Sequence, residues 1–317
     1  MQSFRGKIAV VTGGGTGMGR ELAKQLAADG CHVAICDVST DNMAETKAQA
    51  EALAIAGARI TTHVCDVSDE PQVLAFRDAV LSAHGTSHLN LLFNNAGIAG
   101  GGSFVRDDRA EWERTFAVCW YGVYYCTRAF LPLLIASDEG YVINTSSVNG
   151  FWASLGPAVS HTAYSTAKFA VKGFTEALIT DLRLNAPHVK AALVMPGHVG
   201  TSIVFNTGAV HGTTDAETAA RMREMLSRRG LPADQLTDEQ LVAAMQQMAT
   251  AFRDLAPTSA GQAATTILDG VRTDRWRILV GEDARVLDRM VREQPELAYE
   301  APFAQALNDQ GHMRLLE

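Results

Sequence analysis

KIAVVTGGGTGMG, residues 7–19, joins a short apolar run to a cluster of glycines. KIAVVT has the length and β-branched content of a buried strand. The residues after it place Met18, Leu22 and Leu26 at helical spacing and predict a helix over about 17–29. Between strand and helix, Gly13, Gly17 and Gly19 follow the pattern T-G-x-x-x-G-x-G. Glycine lets a backbone turn tightly and come close to a pyrophosphate. The first turn of the following helix offers free N–H groups and a positive dipole end. A glycine pattern alone is weak, but one set between a strand and a helix predicts a dinucleotide-binding turn.

The same alternation continues outward from this stretch. Apolar runs at 31–37, 58–66, 88–97, 140–147, 189–197 and 275–281 are predicted strands, and helical periodicity fills about 41–56, 70–84, 110–136 and 162–185. Strands alternating with helices imply βαβ units and a parallel sheet covered on both faces. The expected fold is α/β, a single Rossmann-type doubly wound sheet of about seven strands. Residues 1–317 are read as one dinucleotide-binding and catalytic domain with a helical insert over about 202–257. Capping-box patterns, Thr214-x-x-Glu217 and Thr237-x-x-Gln240, start two insert helices, and Ser259-x-x-Gln262 opens the helix before the seventh strand. Leu241, Met245, Met248 and Phe252 form an apolar stripe, expected to close as a lid over the ligand crevice.

Composition narrows the function classes. Hydrophobic residues make up 47% and charged residues 20%, which excludes a disordered chain. A net charge of −8 argues against a nucleic-acid surface. The N-terminal apolar run is too short for a signal-peptide core, and no uninterrupted run of about 18 apolar residues occurs. A cytoplasmic protein without a membrane partner is expected. Cys31, Cys36, Cys65, Cys119 and Cys126 have no metal-like spacing and read as reduced, buried thiols. No metal site is expected.

Asp37 ends the second strand, 18 residues after Gly19. A carboxylate there can accept both ribose hydroxyls of an adenosine and repel a 2′-phosphate. Gly15 and Thr16 are not basic, and Arg20 is poorly placed to clamp phosphate from inside the helix. NAD is therefore expected over NADP.

Further along, HTAYSTAKFAV (161–171) carries Tyr164 and Lys168 four apart, on one helix face. A free phenol, with a pKa of about 10, is a poor proton shuttle at neutral pH. A nearby ammonium favours phenolate, and an oxidised nicotinamide favours it further. The pair follows GYVINTSS (140–147), whose serines end the fifth strand where ligands bind in such sheets.

Taken together, the sequence resembles the short-chain dehydrogenase/reductase family. The matching residues are TGGGTGMG (12–19), Asp37, Asp66-Val67, NNAG (94–97), Ser146-Ser147, YSTAK (164–168) and PGHVGT (196–201), in one register. They cover residues 5–202 strongly and 258–281 more loosely. The resemblance implies that Tyr164 is the general acid/base and that Ser147 stabilises the substrate oxygen, with Ser146 the alternative hydroxyl. Lys168 is implied to bind the nicotinamide ribose and lower the tyrosine's pKa. Gly13, Gly17, Met18 and Gly19 would form the phosphate loop, and Asp66 and Val67 would hold the adenine. Asn94 would brace the central strands, with Asn95, Ala96 and Gly97 near the ribose. Pro196, Gly197, Val199 and Thr201 would cradle the carboxamide side of the nicotinamide.

The pattern breaks in two places. Cys119 stands where the family has an asparagine whose backbone carbonyl holds a relay water. A carbonyl survives substitution, so a weakened relay is expected, with a tolerated small-residue exchange as the bland reading. The second departure is the segment between Ser147 and Tyr164, 16 residues long, about four more than is common in the family. Asn149, Trp152 and His161 in it are candidate substrate contacts, as is His198, each with a structural or surface role as the alternative. Trp120 and Tyr121 are expected to pack between subunits of a homodimer or homotetramer. The activity implied is NAD-dependent hydride transfer on a secondary alcohol or ketone, with a medium or large apolar substrate. An NADP-dependent carbonyl reductase, an extended-type sugar-nucleotide epimerase and a dinucleotide sensor without turnover are the alternatives.

Overall fold

The computed structural model describes residues 1–155, 159–228 and 230–309. The first half alternates strand and helix without interruption: β1 Ile8–Thr12, α1 Gly17–Ala28, β2 His32–Asp37, α2 Thr40–Leu53, β3 Ile60–Val64, α3 Glu70–His84 and β4 Leu91–Asn94. Next come α4 Arg109–Phe116 and α5 Gly122–Ile135, then β5 Gly140–Thr145, α6 Thr162–Asn185 and β6 Val189–Pro196. The remainder is β7 Val199–Gly200, α7 Ile203–His211, α8 Asp215–Arg228, α9 Asp238–Asp254, β8 Thr258–Ser259, α10 Ala260–Arg272, β9 Arg277–Val280, α11 Glu282–Glu293 and α12 Ala301–Asp309.

Seven strands form one parallel sheet in the order β3-β2-β1-β4-β5-β6-β9. Chain direction across the sheet reverses between β1 and β4, and the crevice beyond their carboxyl ends is where ligands bind in such sheets. Both faces are apolar, as a doubly covered sheet requires. Val11, Ile35, Phe93 and Ile143 pack with Leu22 and Leu26 of α1 and Ile267 and Leu268 of α10. On the other face Val10, Leu92 and Val142 meet Phe76 and Val80 of α3, Phe130 and Leu134 of α5, and Leu178 and Leu182 of α6. Each fully buried side chain of this size contributes about 1.5–3 kcal/mol.

The single helix expected over 110–136 is two α segments joined by a π-helical turn, Ala117–Tyr121, in which the Gly122 N–H reaches back to the Ala117 carbonyl. The α4–α5 rod is long and apolar enough to cross a membrane by length and composition, yet half of its apolar window is buried in this fold. A π turn adds one residue to a helical turn, so hydrophobic spacing on either side is nearly undisturbed and gives no warning.

The insert is pinched at its base, where β7 pairs in parallel with β8. Its capping boxes form as expected at Thr214, Thr237 and Ser259. The apolar stripe of α9 does not face the crevice as the lid expectation required. Leu241 is fully buried against Ala219 and Met222 of α8, with Met245 beside it, while Met248 stays exposed and the Phe252 ring lies tilted against His198. The stripe is spent on a helix pair, and α7 is the insert helix that reaches the crevice.

Candidate active site

A cleft of about 260 Å³ runs along the carboxyl ends of β1, β2 and β4. Its floor is the turn Gly13–Gly19. Gly13 and Gly17 have φ of +63° and +53°, the left-handed region. A Cβ on Gly13 would meet Ala96 Cα at 2.8 Å, and one on Gly19 would meet the Gly13 carbonyl at 2.1 Å. The loop is thus a bare-backbone cradle leading into a helix N-terminus, and it fits a pyrophosphate. Thr12, which the motif reading passed over, fixes the cradle to β4. Its Oγ1 accepts from the Asn95 and Ala96 N–H groups at 3.0 Å each. Asn95 returns its amide to the Thr12 carbonyl at 3.0 Å. Asn94 braces β4 to β5 through Asn144 at 2.8 Å.

At the adenosine end, Asp37 accepts from Gly15 N at 3.0 Å and Ser39 N at 3.1 Å, which fixes the carboxylate at the cleft wall. Arg20 lies behind it and is already engaged by the Gly15 carbonyl, Thr46 Oγ1 and Glu45. Asp66 and Val67 line the next stretch. Burial alone would raise the Asp66 carboxyl, but hydrogen bonds from Arg114 at 2.7 Å and from Ser68 outweigh it and hold the pKa below its ordinary value. Arg114 lies on α4 within no motif, so no sequence signal marked it.

The chemistry-bearing residues meet past Gly97. Lys168 is buried, donates to the Thr145 carbonyl at 2.9 Å and lies 5.3 Å from the centre of the Tyr164 ring. Ser146 donates to the Lys168 carbonyl at 2.7 Å and is sealed in the core. Ser147 accepts from Asn149 N at 3.1 Å and hydrogen-bonds the Tyr164 phenol. Cys119, in the π turn, donates its thiol to the Ile98 carbonyl at 3.1 Å. A Cβ on Gly97 would lie 3.5 Å from Lys168 Nζ and 3.7 Å from Cys119 Sγ, so both reach the same bare backbone.

Electrostatics of the ligand-free cleft run against the expected lowering of the tyrosine pKa. Burial raises the Tyr164 phenol, Cys119 adds to this, and the Ser147 hydrogen bond opposes it without winning. Burial also lowers Lys168. Burial thus works against the charged form of both groups.

Of the substrate candidates, three lie elsewhere than expected. Trp152 is 2% exposed and packs on Leu287 and on Phe303 of α12, with its indole N–H bound to the Ala298 carbonyl. Asn149 spends its amide on the carbonyls of Trp152 and Ser154 in its own loop. Residues 156–158 of that loop lie outside the described residues. His198 is pinned by Asp283 at its backbone N–H and donates Nε2 to the Phe252 carbonyl at 2.7 Å, joining the insert to the body. Such long-range ties have no local pattern in the sequence. Of the four, His161 stands beside Tyr164, its ring 4.7 Å from that of the tyrosine.

Pro196 and Val199 are buried, and Gly197 is bound to the Val280 carbonyl. These residues shape the turn behind Thr201, which lines the cleft with Met18. Opposite stands α7. Asn206 donates to Thr16 Oγ1 at 2.8 Å, and Thr207 accepts from Ala99 N at 2.8 Å.

This arrangement has counterparts among known proteins. The short chain dehydrogenase family profile matches residues 7–210. The chain belongs to the short-chain dehydrogenase family. It is 37% identical over 292 residues to SadH of Mycobacterium tuberculosis, a protein named as an oxidoreductase, covering 92% of each chain. The structure of a short-chain dehydrogenase/reductase from Burkholderia phymatum in complex with NAD superposes with a TM-score of 0.75 at 31% identity, covering 94% of this chain and 96% of that one. A metagenomic short-chain oxidoreductase in complex with NADP gives 0.54 at 32% identity, over 61% and 83%. The protein is thus an oxidoreductase of the short-chain dehydrogenase type with a Rossmann-like sheet.

Proposed function

We propose that this short-chain dehydrogenase moves hydride between a secondary alcohol or ketone and NAD. The observation that carries the reading is the meeting of the Ser147 hydroxyl, the Tyr164 phenol and the buried Lys168 ammonium beside Gly97. When bound, the oxidised nicotinamide supplies the hydride acceptor and a positive charge. Ser147 Oγ accepts from Asn149 N, and its proton, shared with the Tyr164 phenol, would turn to the substrate oxygen. Tyr164 takes the hydroxyl proton as the carbinol C–H bond breaks, and returns it to the carbonyl oxygen in reduction. Lys168, held by the Thr145 carbonyl, stabilises the phenolate and offers its remaining protons to the ribose. Burial raises the phenol's pKa and holds it in the protonated form that ketone reduction draws on.

Preference for NAD is supported by Asp37 at the cleft wall and by the engagement of Arg20 with Glu45, which leaves that guanidinium without a role at a 2′-phosphate. An apolar substrate body is supported by Ile98, Val118, Ile203 and Val210 along the cleft. A homodimer or homotetramer, the further proposal, is supported by exposed aromatic residues on the long helices: Tyr121 and Tyr124 in the α4–α5 rod and Phe169 in α6. Five free, buried cysteines suit a cytoplasmic location.

The test is turnover of a panel of secondary alcohols with NAD and with NADP, followed by absorbance of the reduced cofactor, beside Tyr164→Phe. We expect NAD-dependent turnover that drops by about 10²–10⁴-fold in the variant while cofactor affinity persists. Tight cofactor binding with no turnover in either direction would instead favour a dinucleotide sensor.

A further inference from the structure

His161 stands beside Tyr164, and the cofactor reading leaves it unused. It occupies the N-cap of α6, yet its side chain makes no capping hydrogen bond. Its backbone is held on both sides. The carbonyl accepts from Ser165 N at 3.1 Å, and the next two N–H groups donate to the Gly102 and Gly101 carbonyls at 2.9 and 3.0 Å. The ring itself is half-buried and tilted 36° against the Tyr164 ring. Every other described histidine has a hydrogen-bond partner at its ring: His32, His63, His84, His88, His188, His198 and His211. Among the described residues His161 has none. A half-buried imidazole without a protein partner beside the Tyr164 ring is available to a ligand.

Burial pushes the His161 imidazole down to about 4. At neutral pH it therefore carries no charge and offers one donor and one acceptor. That suits a hydroxyl or carbonyl oxygen and not a carboxylate, which would call for a cation. Its ring lies 4.7 Å from that of Tyr164, so one small molecule can reach both the phenol and the imidazole with two of its oxygens.

We propose that His161 is a specificity residue that binds a second, uncharged oxygen of the substrate, so that the favoured substrates are apolar diols, hydroxyketones or diketones with neighbouring oxygens. The inference rests on the alcohol dehydrogenase reading above. Hydride leaves the carbinol carbon for the nicotinamide and the hydroxyl proton goes to Tyr164. The second oxygen keeps its bonding throughout.

The experiment compares kcat/KM for matched pairs with NAD: cyclohexanol against 1,2-cyclohexanediol, and 1-phenylpropan-1-ol against 1-phenylpropane-1,2-diol. The wild type, His161→Phe and His161→Gln are used, with cofactor affinity of each measured by fluorescence titration. The wild type is expected to favour the diol by about tenfold. His161→Phe should bring that ratio near one, and His161→Gln, which keeps a donor and an acceptor, should restore part of it. A wild-type enzyme that turns over both members without preference, or a His161→Phe ratio equal to the wild type's at normal cofactor affinity, overturns the assignment alone. No turnover of either member by the wild type sinks the dehydrogenase reading and this one with it.

Discussion

The two halves of the cleft are built by different means. On the cofactor side, the Gly13–Gly19 turn, Asp37 and the Asn94–Gly97 strip sit at the ends of neighbouring strands, and backbone groups fix them. On the substrate side the parts come from distant stretches of chain. Asn149 braces the loop after Ser147, Trp152 ties it to Ala298, and the Ala153 N–H donates to the Tyr299 hydroxyl at 3.1 Å. The opposite wall is α7, held to the loop after β4 through Thr207 and His211. A cofactor common to many enzymes needs one geometry, which short local patterns can encode. A substrate pocket has no such constraint and is assembled from whatever surrounds the sheet.

The largest expected effect tests whether the halves are separable. Trp152→Ala removes a fully buried indole and its hydrogen bond, and should cost about 3–5 kcal/mol of stability. Denaturant unfolding reads that loss. Among folded molecules turnover should fall while NAD affinity stays within about threefold. An affinity that falls in step with turnover would break the distinction.

The converse change lies on the cofactor side. Asp37→Ala removes a charged acceptor expected to serve the ribose, and should weaken NAD by roughly 10- to 150-fold. It should also narrow the preference over NADP, in isothermal titration with both cofactors. A loss confined to kcat, with both affinities unchanged, would place Asp37 outside the ribose site.

The smallest effect is on pH dependence. His84, on α3 at the cofactor-side edge of the sheet, has its pKa lowered to about 4 by burial, then by His32, Arg59 and His63. His63 is lowered too, by burial. The unfolded chain takes these protons near pH 6.5, before the folded protein does. Stability from these groups is therefore full above about pH 6.5 and is lost as pH falls toward 4. His84→Gln should flatten the slope in thermal melts over that window. An unchanged slope would assign acid sensitivity to other groups.

What was legible follows the same division. Strand–helix alternation, the glycine turn and the Tyr164–Lys168 spacing all depend on residues a few positions apart, and the structure has them in the expected elements. Arg114 and Asn206 escaped notice because each acts from a helix whose own pattern only says that it packs. Trp152 misled for the opposite reason. An aromatic residue soon after Ser147 suggests substrate contact, and nothing local reveals that a residue 146 positions away claims its indole. The α9 stripe was read correctly as apolar, but periodicity cannot say which neighbour covers a face.

The π turn at Ala117–Tyr121 has a consequence for how the chain can change in length. The turn packs one residue more than an α turn into about the same rotation. The flanking segments therefore keep their phase: Trp112 stays on Thr162 while Cys126 and Phe130 stay in the sheet's core. Deleting one residue of the turn would let α4 and α5 run on as an ordinary helix with both faces kept. A further inserted residue with no second bulge to take it up would rotate one half by about 100° against the other. The turn is thus a slack of one residue: the helix can lose that residue and keep its faces, but cannot gain another without parting the cleft wall from the core beneath it.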